Sequence, residues 1–340
     1  PGLSLLMLLF AGTTCNDSFS YSHLNSSLSY SNLNGRVKVL NPLSQSAGKS
    51  RTFTSSACTS ETLCNKITTE NLTLVSEHPK THVKPMNDTE FGHYLAGLID
   101  GDGHFSQGKM SISFHLLDQS LAYYLKARLG YGTVSKVKDK NAVTLAISKK
   151  EGIQKVITLI NGKFRTYSKL EQINKYHLPR KCFEEFGKTL KLSLNESADL
   201  ENHWLAGFSD ADASFQIKLV KRTASNRIEA RLNFQVDQKR DYLLQLIRDK
   251  FGGYIGYRKS QDTYYYGSTS FGGAKKVISY FDNYHLMSTK LISYARWRRA
   301  YLLIQEGKHL TPEGKDKLAE LKLSNARLEE IRKTYNLEND

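Results

Sequence analysis

A chain of 340 residues that is 39% apolar can fold as two domains, or as one duplicated domain with extensions, and no apolar run in it reaches membrane-spanning length. Its net charge of +15 is unevenly placed: residues 1–88 hold seven Lys/Arg against five Asp/Glu, the remainder 41 against 28. A basic excess in the folded-looking part points to a polyanionic partner, most simply nucleic acid. Cys15, Cys58, Cys64 and Cys182 form no ligand-spaced cluster, which argues against zinc or a disulfide framework and fits a reduced compartment.

Residues 1–88 open with PGLSLLMLLFAG and then become rich in Ser, Thr and Asn without a sustained period, as expected of a poorly ordered extension. The apolar start is compatible with the end of a signal region, with an organelle transit segment, or with a leader from an in-frame upstream reading frame. A first unit follows over 89–177. It reads as a helix at 91–101, strands near Phe105 and over 109–117, and a helix at 120–130 closed by Gly130 and Gly132. Strands at 133–138 and 142–148 come next, then helices near 151–161 and 167–176.

Residues 178–199 carry the Pro and Gly of a linker. The second unit, 200–305, keeps the order of the first: a helix at 201–211, strands at 214–220 and 227–236, a helix at 241–253, strands at 254–259 and 263–270, and helices from 273 and 288. In the extension 306–340, Leu318, Leu321, Leu328 and Ile331 have the spacing of a packing helix, and Trp297 before it reads as core.

The repeat is marked by YLAGLIDGDGHF (94–105) and WLAGFSDADASF (204–215). The longer first hairpin of the second unit, with KRTASNR at 221–227, accounts for the larger spacing further on. Two such units imply a pseudo-twofold duplication. Ala96, Gly97 and Gly101, and Ala206, Gly207 and Ala211, leave one helix face nearly bare, so two backbones can approach closely. Packing the helices on each other brings Asp102 and Asp212 together at their C-terminal ends. Helix dipoles and like-charge repulsion both oppose that placement. A divalent cation would reward it, and two acids sharing metal suit phosphodiester hydrolysis.

Polar residues alternate along the first hairpin of each unit, at Ser106, Lys109, Ser111 and Ser113, and at Gln216, Lys218, Arg227, Glu229, Arg231, Asn233 and Gln235. Singly each is an ordinary solvent-face residue; as a set they suit groove reading. Lys136, Lys138, Lys140, Arg258 and Lys259 are candidates for phosphate or flanking-base contacts.

At its paired motifs the chain resembles the LAGLIDADG homing endonucleases in their single-chain form, over residues 91–305. The resemblance implies an α+β fold of two pseudo-symmetric αββαββα units whose antiparallel sheets form a saddle over DNA. It implies Mg²⁺, two or three ions, on Asp102 and Asp212, with Gly101 and Ala211 lending carbonyls. Asp100 and Asp210 look like helix-end residues. Lys169 and Lys290 correspond to the family's lysine before the last helix, and Gln238 to its polar residue after the second strand. The first-unit counterpart of Gln238 is Asp118 or Gln119. Ala213 stands where the family usually has Gly, and slight strain is expected there.

The implied activity is a staggered double-strand break at a long asymmetric DNA site by a monomer without membrane attachment. An intron-encoded origin is implied, the mitochondrion ahead of the chloroplast. The alternative is a non-cleaving RNA maturase acting on its host intron, or a repressor-like derivative.

Overall fold

The computed structural model describes residues 74–222 and 227–337, with no side chains described for 221, 222, 227, 228 and 332–337. Residues 1–73 of the extension expected over 1–88 and the side chain of Arg227 therefore lie outside the described residues.

Helix α1 (Asp88–Asp102) starts earlier than the periodicity indicated, because Asn87 caps it: Asn87 Oδ1 accepts from Glu90 N at 2.8 Å, and Glu90 Oε2 accepts from Met86 N at 2.8 Å. After it come β1 (Gly103–Ser106), β2 (Lys109–His115), α2 (Gln119–Leu129), β3 (Thr133–Lys136), β4 (Ala142–Ile147), α3 (Lys150–Ile160) and α4 (Tyr167–Tyr176). A short helix α5 (Glu184–Thr189) lies in the linker. The order then repeats as α6 (Trp204–Asp212), β5 (Ala213–Arg222), β6 (Arg227–Gln238), α7 (Tyr242–Phe251), β7 (Tyr254–Arg258), β8 (Thr263–Ser268), α8 (Phe271–Phe281) and α9 (Lys290–Gln305). Helix α10 (Pro312–Leu337) closes the chain.

Each unit holds a four-stranded antiparallel sheet, ordered β1-β2-β4-β3 and β5-β6-β8-β7. Strand alternation sends Met110, Ile112, Phe114, Val143, Leu145 and Ile147 into one core, and Phe215, Ile217, Phe234, Val236 and Tyr266 into the other. The opposite face of each sheet is left open. Gly130, with φ 77°, closes α2 in the left-handed conformation.

Residues 74–87, assigned from the sequence to the extension, run as a strap along the second unit before entering α1. Val75 exchanges two hydrogen bonds with the Gln305 amide, at 2.9 and 3.0 Å. Arg298, nearly buried against Asp282, donates to the Ser76 carbonyl at 2.8 Å. His82 bonds the Leu286 carbonyl, and His285 that of Thr81. The linker lies along the first unit, where Asn195 N donates to Phe164 O and Arg165 to the carbonyls of Ser197 and Asp199.

Helix α10 packs as its pattern indicated at Leu318, which is buried, while Ile331 is exposed. Its buried Asn325 donates to the carbonyls of Phe215 and Ser293, and Trp297 is fully buried. Among the described residues no helix is long and apolar enough to cross a membrane.

Candidate active centre and open sheet faces

The two motif helices meet where their side chains vanish. A Cβ on Gly97 would overlap the Trp204 carbonyl, and one on Gly207 would overlap the Tyr94 carbonyl. Further along, a Cβ on Gly101 would overlap Ala211 and come within 2.9 Å of Asp212 Oδ2. Leu95, Leu98, Ile99, Leu205 and Phe208 are buried, with Phe208 stacked on Trp204 at 4.9 Å. The small residues thus place backbone against backbone, and the large ones anchor the helices in the cores.

Asp100 and Asp210 do more than end their helices. Both are buried, and each ties the seam to the loop before a following helix. Asp100 accepts from Arg165 N (2.8 Å), Thr166 N (3.1 Å) and, across the seam, Trp204 Nε1 (2.8 Å). Asp210 accepts from Met287 N (2.8 Å), Ser288 N (3.2 Å) and Oγ (2.5 Å), and from Tyr94 Oη at 2.7 Å across the seam. Burial raises both carboxyl pKa values, opposed by these hydrogen bonds. The two acids position the starts of α4 and α9, which carry Lys169 and Lys290.

Asp102 and Asp212 stand at the adjoining ends of α1 and α6. Asp102 keeps a solvent-accessible face although protein surrounds its other sides. Burial raises its pKa, with help from Asp118 and against Lys290 and Lys169. For Asp212 burial comes first and the Asp102 charge second, pushing it up to about 6 against Lys290, Gln238 and Lys169. Lys169 Nζ donates to Gly103 O at 2.5 Å, and Lys290 Nζ to Ala211 O at 2.6 Å and Ser209 O at 3.2 Å. Gln238 Nε2 donates to Asp212 Oδ2 at 2.6 Å. Asp102, Asp212, Lys169, Lys290 and Gln238 therefore converge, and the Ala211 carbonyl already serves a lysine.

Two sequence expectations are corrected. Neither Asp118 nor Gln119 is the counterpart of Gln238: Gly103 pairs with Ile112 as Ala213 pairs with Val236, so Phe114 occupies that register position. Asp118 is buried and accepts from Thr289 N at 2.7 Å, while Gln119 starts α2 on the surface. Ala213 is unstrained, with φ −90° and ψ 158°. Gly103 is equally extended and is needed for space, since a Cβ there would meet Ile99 Cα at 2.6 Å.

On the open face of the first sheet lie Ser106, Lys109, Ser111 and Ser113. Lys136 pairs with the buried Val143 and so has the parity of the helix-covered face, away from Thr133 and Ser135. Lys138, Lys140 and Lys259 are exposed in turns. Gln216, Lys218, Glu229, Arg231, Gln235 and Arg258 share the open face of the second sheet. Asn233 has the same parity but is buried beneath Gln216 and Gln235, to which it donates, so it positions these neighbours and cannot itself reach a partner. Gln172, missed in the sequence, accepts from Phe105 N at 2.9 Å; its position three residues after Lys169, on the same helix face, was the available signal.

Comparison with known proteins gives the family and the fold. The model of the family described as LAGLIDADG endonuclease matches residues 205–301. The chain is 58% identical over 318 residues to a Schizosaccharomyces pombe protein described as an uncharacterized cox1 intron-2 37.2 kDa protein, covering 92% of this chain and 95% of that one. The chain belongs to the LAGLIDADG endonuclease family. It is also 27% identical to the Saccharomyces cerevisiae intron-encoded DNA endonuclease aI3, covering 71% of this chain and 70% of the relative. With the S. cerevisiae intron-encoded RNA maturase bI4 it shares 28% identity, but it spans only 28% of that protein.

Among solved structures, the LAGLIDADG meganuclease I-SmaMI bound to uncleavable DNA aligns at TM-score 0.53 and 25% identity, covering 68% of this chain and 97% of that one. The same meganuclease bound to uncleaved DNA with calcium ions aligns at TM-score 0.53 and 23% identity, with 68% and 97% coverage. The two-unit α+β fold is that of the LAGLIDADG endonucleases.

Proposed function

We propose that this LAGLIDADG protein is a site-specific endonuclease that makes a staggered double-strand break in a long, asymmetric DNA site. The observation that carries the reading is the meeting of Asp102 and Asp212 at the ends of two helices fitted together at Gly97 and Gly207. Burial first and the Asp102 charge second raise the pKa of Asp212, against Lys290, Gln238 and Lys169, so the adjacent carboxylates are only partly compensated by the protein itself.

The donor set fits Mg²⁺. Carboxylate oxygens of Asp102 and Asp212 would hold it, with the Gly101 and Ala211 carbonyls nearby and DNA phosphate oxygens and water as remaining ligands. When bound, it would supply a lowered water pKa and charge neutralisation at the scissile phosphates. Gln238 orients the Asp212 carboxylate. Lys169 and Lys290, on the rigid starts of α4 and α9, place two ammonium groups in the field of both acids, where they favour the anionic phosphate. The open sheet faces and the net charge of +15 suit a DNA duplex. The family relationship to a cox1 intron protein supports an origin in a mitochondrial intron, and the chain is read as a monomer because both motif copies lie in it.

A second reading, assistance in splicing a host intron, is favoured by the likeness to the maturase. Cleavage of a randomised duplex library with Mg²⁺ and then Ca²⁺, sequencing the ends, separates the two. Discrete staggered ends at one long site with Mg²⁺ alone are expected. Binding without cutting, together with intron-RNA binding, would transfer the function to splicing.

A further inference from the structure

The two open sheet faces differ in chemistry and in reach. The first is lined mostly by Ser106, Ser111, Ser113, Thr133, Ser135, Thr144 and Ala146, side chains that end one or two atoms from the backbone, with His104 and Lys109 of its leading hairpin as longer groups. Its side chains are loosely tied: Ser113 and Thr144 meet at 3.4 Å, and Ser106 Oγ donates to Lys109 O at 3.4 Å. Its leading hairpin pairs four positions, Gly103 to Ser106. The hairpin of β5 and β6 pairs ten, Ala213 to Arg222. At about 3.3 Å per residue these span roughly 13 and 33 Å, and the longer one matches about one turn of B-DNA.

The second face is also wired together. Asn233 holds Gln216 at 3.1 Å and Gln235 at 3.3 Å; Gln235 donates to Asp237 at 3.1 Å; Asp237 accepts from Arg258 Nη1 at 2.9 Å. The Arg258 guanidinium lies over the Tyr265 ring, 4.5 Å from its centroid. Two glycines make room for the aromatic floor. A Cβ on Gly256 would overlap the Tyr265 ring, and one on Gly267 would come within 3.2 Å of the Tyr254 ring. Tyr254 and Tyr265 meet edge to face at 6.0 Å. Aromatic rings laid across strand glycines make a rigid surface, and a guanidinium held by a carboxylate and a ring loses little freedom on binding.

We propose that the second sheet carries the sequence discrimination of this endonuclease. Arg258, positioned by Asp237 and Tyr265, reads a guanine through its O6 and N7 edge, and the first sheet, outside His104 and Lys109 of its leading hairpin, follows its half-site through short contacts of low selectivity. Arg presents the fork that matches guanine in the major groove, whereas Ser, Thr and Ala offer single hydrogen bonds or methyl contact. This rests on the DNA-cleaving reading above and deepens it.

The test uses the full chain and a duplex library in which each half-site is randomised separately. Binding is scored in Ca²⁺ and cutting in Mg²⁺, for the parent protein, Arg258→Ala, Asp237→Ala and Ser111→Ala. Each variant's own effect marks the half-site that its unit covers. The expected result is a narrow base choice in the half-site marked by Arg258→Ala and a broad one in the half-site marked by Ser111→Ala. Arg258→Ala removes a guanine preference of about tenfold or more at one position. Asp237→Ala weakens the same preference and leaves other positions alone, which a general loss of stability would not do. Equal selectivity in both halves would overturn the proposal. So would an Arg258→Ala protein that binds every sequence less tightly without changing its preference, because that marks a phosphate contact. A parent protein that binds in Ca²⁺ but cuts nothing in Mg²⁺ removes the endonuclease reading, while its base preferences still decide the role of Arg258. If it binds no DNA, both fall.

Discussion

Tyr94 of the first unit donates a 2.7 Å hydrogen bond to Asp210 of the second, and that same carboxylate holds the backbone of Met287 and Ser288 just before α9. The seam between the units and the placement of Lys290 therefore share one buried acid. Tyr94→Phe is expected to lower stability by about 1.5–3 kcal/mol, the range for a hydrogen bond to a charged group. Asp210→Asn turns a donor toward backbone N–H groups and is expected to lower it at least as much. Urea unfolding of both variants measures this. Stabilities equal to the parent's would show that the seam does not depend on the bond.

The helix contact itself is tested by glycine. Gly97→Ala and Gly207→Ala drive a methyl group into facing backbone and are expected to destabilise by about 1–3 kcal/mol or more. Gly272→Ala, on α8 with nothing within 4 Å of its Cβ, is expected to stabilise by about 0.4–1 kcal/mol. Thermal melts of the three should separate in sign. A Gly97→Ala protein melting like the parent would mean that the motif helices are not in close contact.

Most of this architecture was legible in the chain. The period-two and period-3.6 patterns place the strands and helices, and the repeated motif reveals the pairing of Asp102 with Asp212, because local periodicity and small-residue spacing are properties of neighbouring residues. The strap over 74–87 was hidden: it is held by main-chain carbonyls that accept from Arg298 and His285, and such bonds leave no pattern in the donated segment. The role of Asp100 and Asp210 was hidden for a similar reason, their partners being backbone N–H groups 65 to 78 residues away. Register decided the remaining case. Composition near the end of β2 offered Asp118 and Gln119, whereas pairing with β1 puts Phe114 at the position of Gln238.

That exchange makes the two acids unequal. Asp212 receives the Gln238 amide at 2.6 Å, and the corresponding register position of the first unit carries a buried phenyl ring. Gln238→Ala is accordingly expected to slow cleavage of one strand by about tenfold or more while sparing the other, so that nicked duplex accumulates. A duplex labelled separately on each strand reads this directly. Equal slowing of both strands would place Gln238 outside the orientation of Asp212.

Asp212 also links activity to stability. Its pKa rises from 3.8 to about 6 on folding, first through burial and then through the Asp102 charge. Between those values the folded protein holds more protons than the unfolded chain, so stability falls as pH rises toward 6 and stays reduced above it. The ionised Asp212 thus destabilises the metal-free protein at neutral pH by about 1–3 kcal/mol. Asp212→Asn is expected to melt several degrees higher than the parent at pH 7.5 without added metal, to lose that advantage near pH 4, and to cleave nothing. Mg²⁺ should raise the parent's melting temperature at pH 7.5 more than the variant's, because a bound cation offsets the repulsion that the substitution removes. Cleavage by the parent should decline below about pH 6 as Asp212 takes up its proton. Melting curves across pH with and without Mg²⁺ decide the matter. A variant no more stable than the parent, or one stabilised equally by Mg²⁺, would separate Asp212 from the metal and leave its raised pKa without a function.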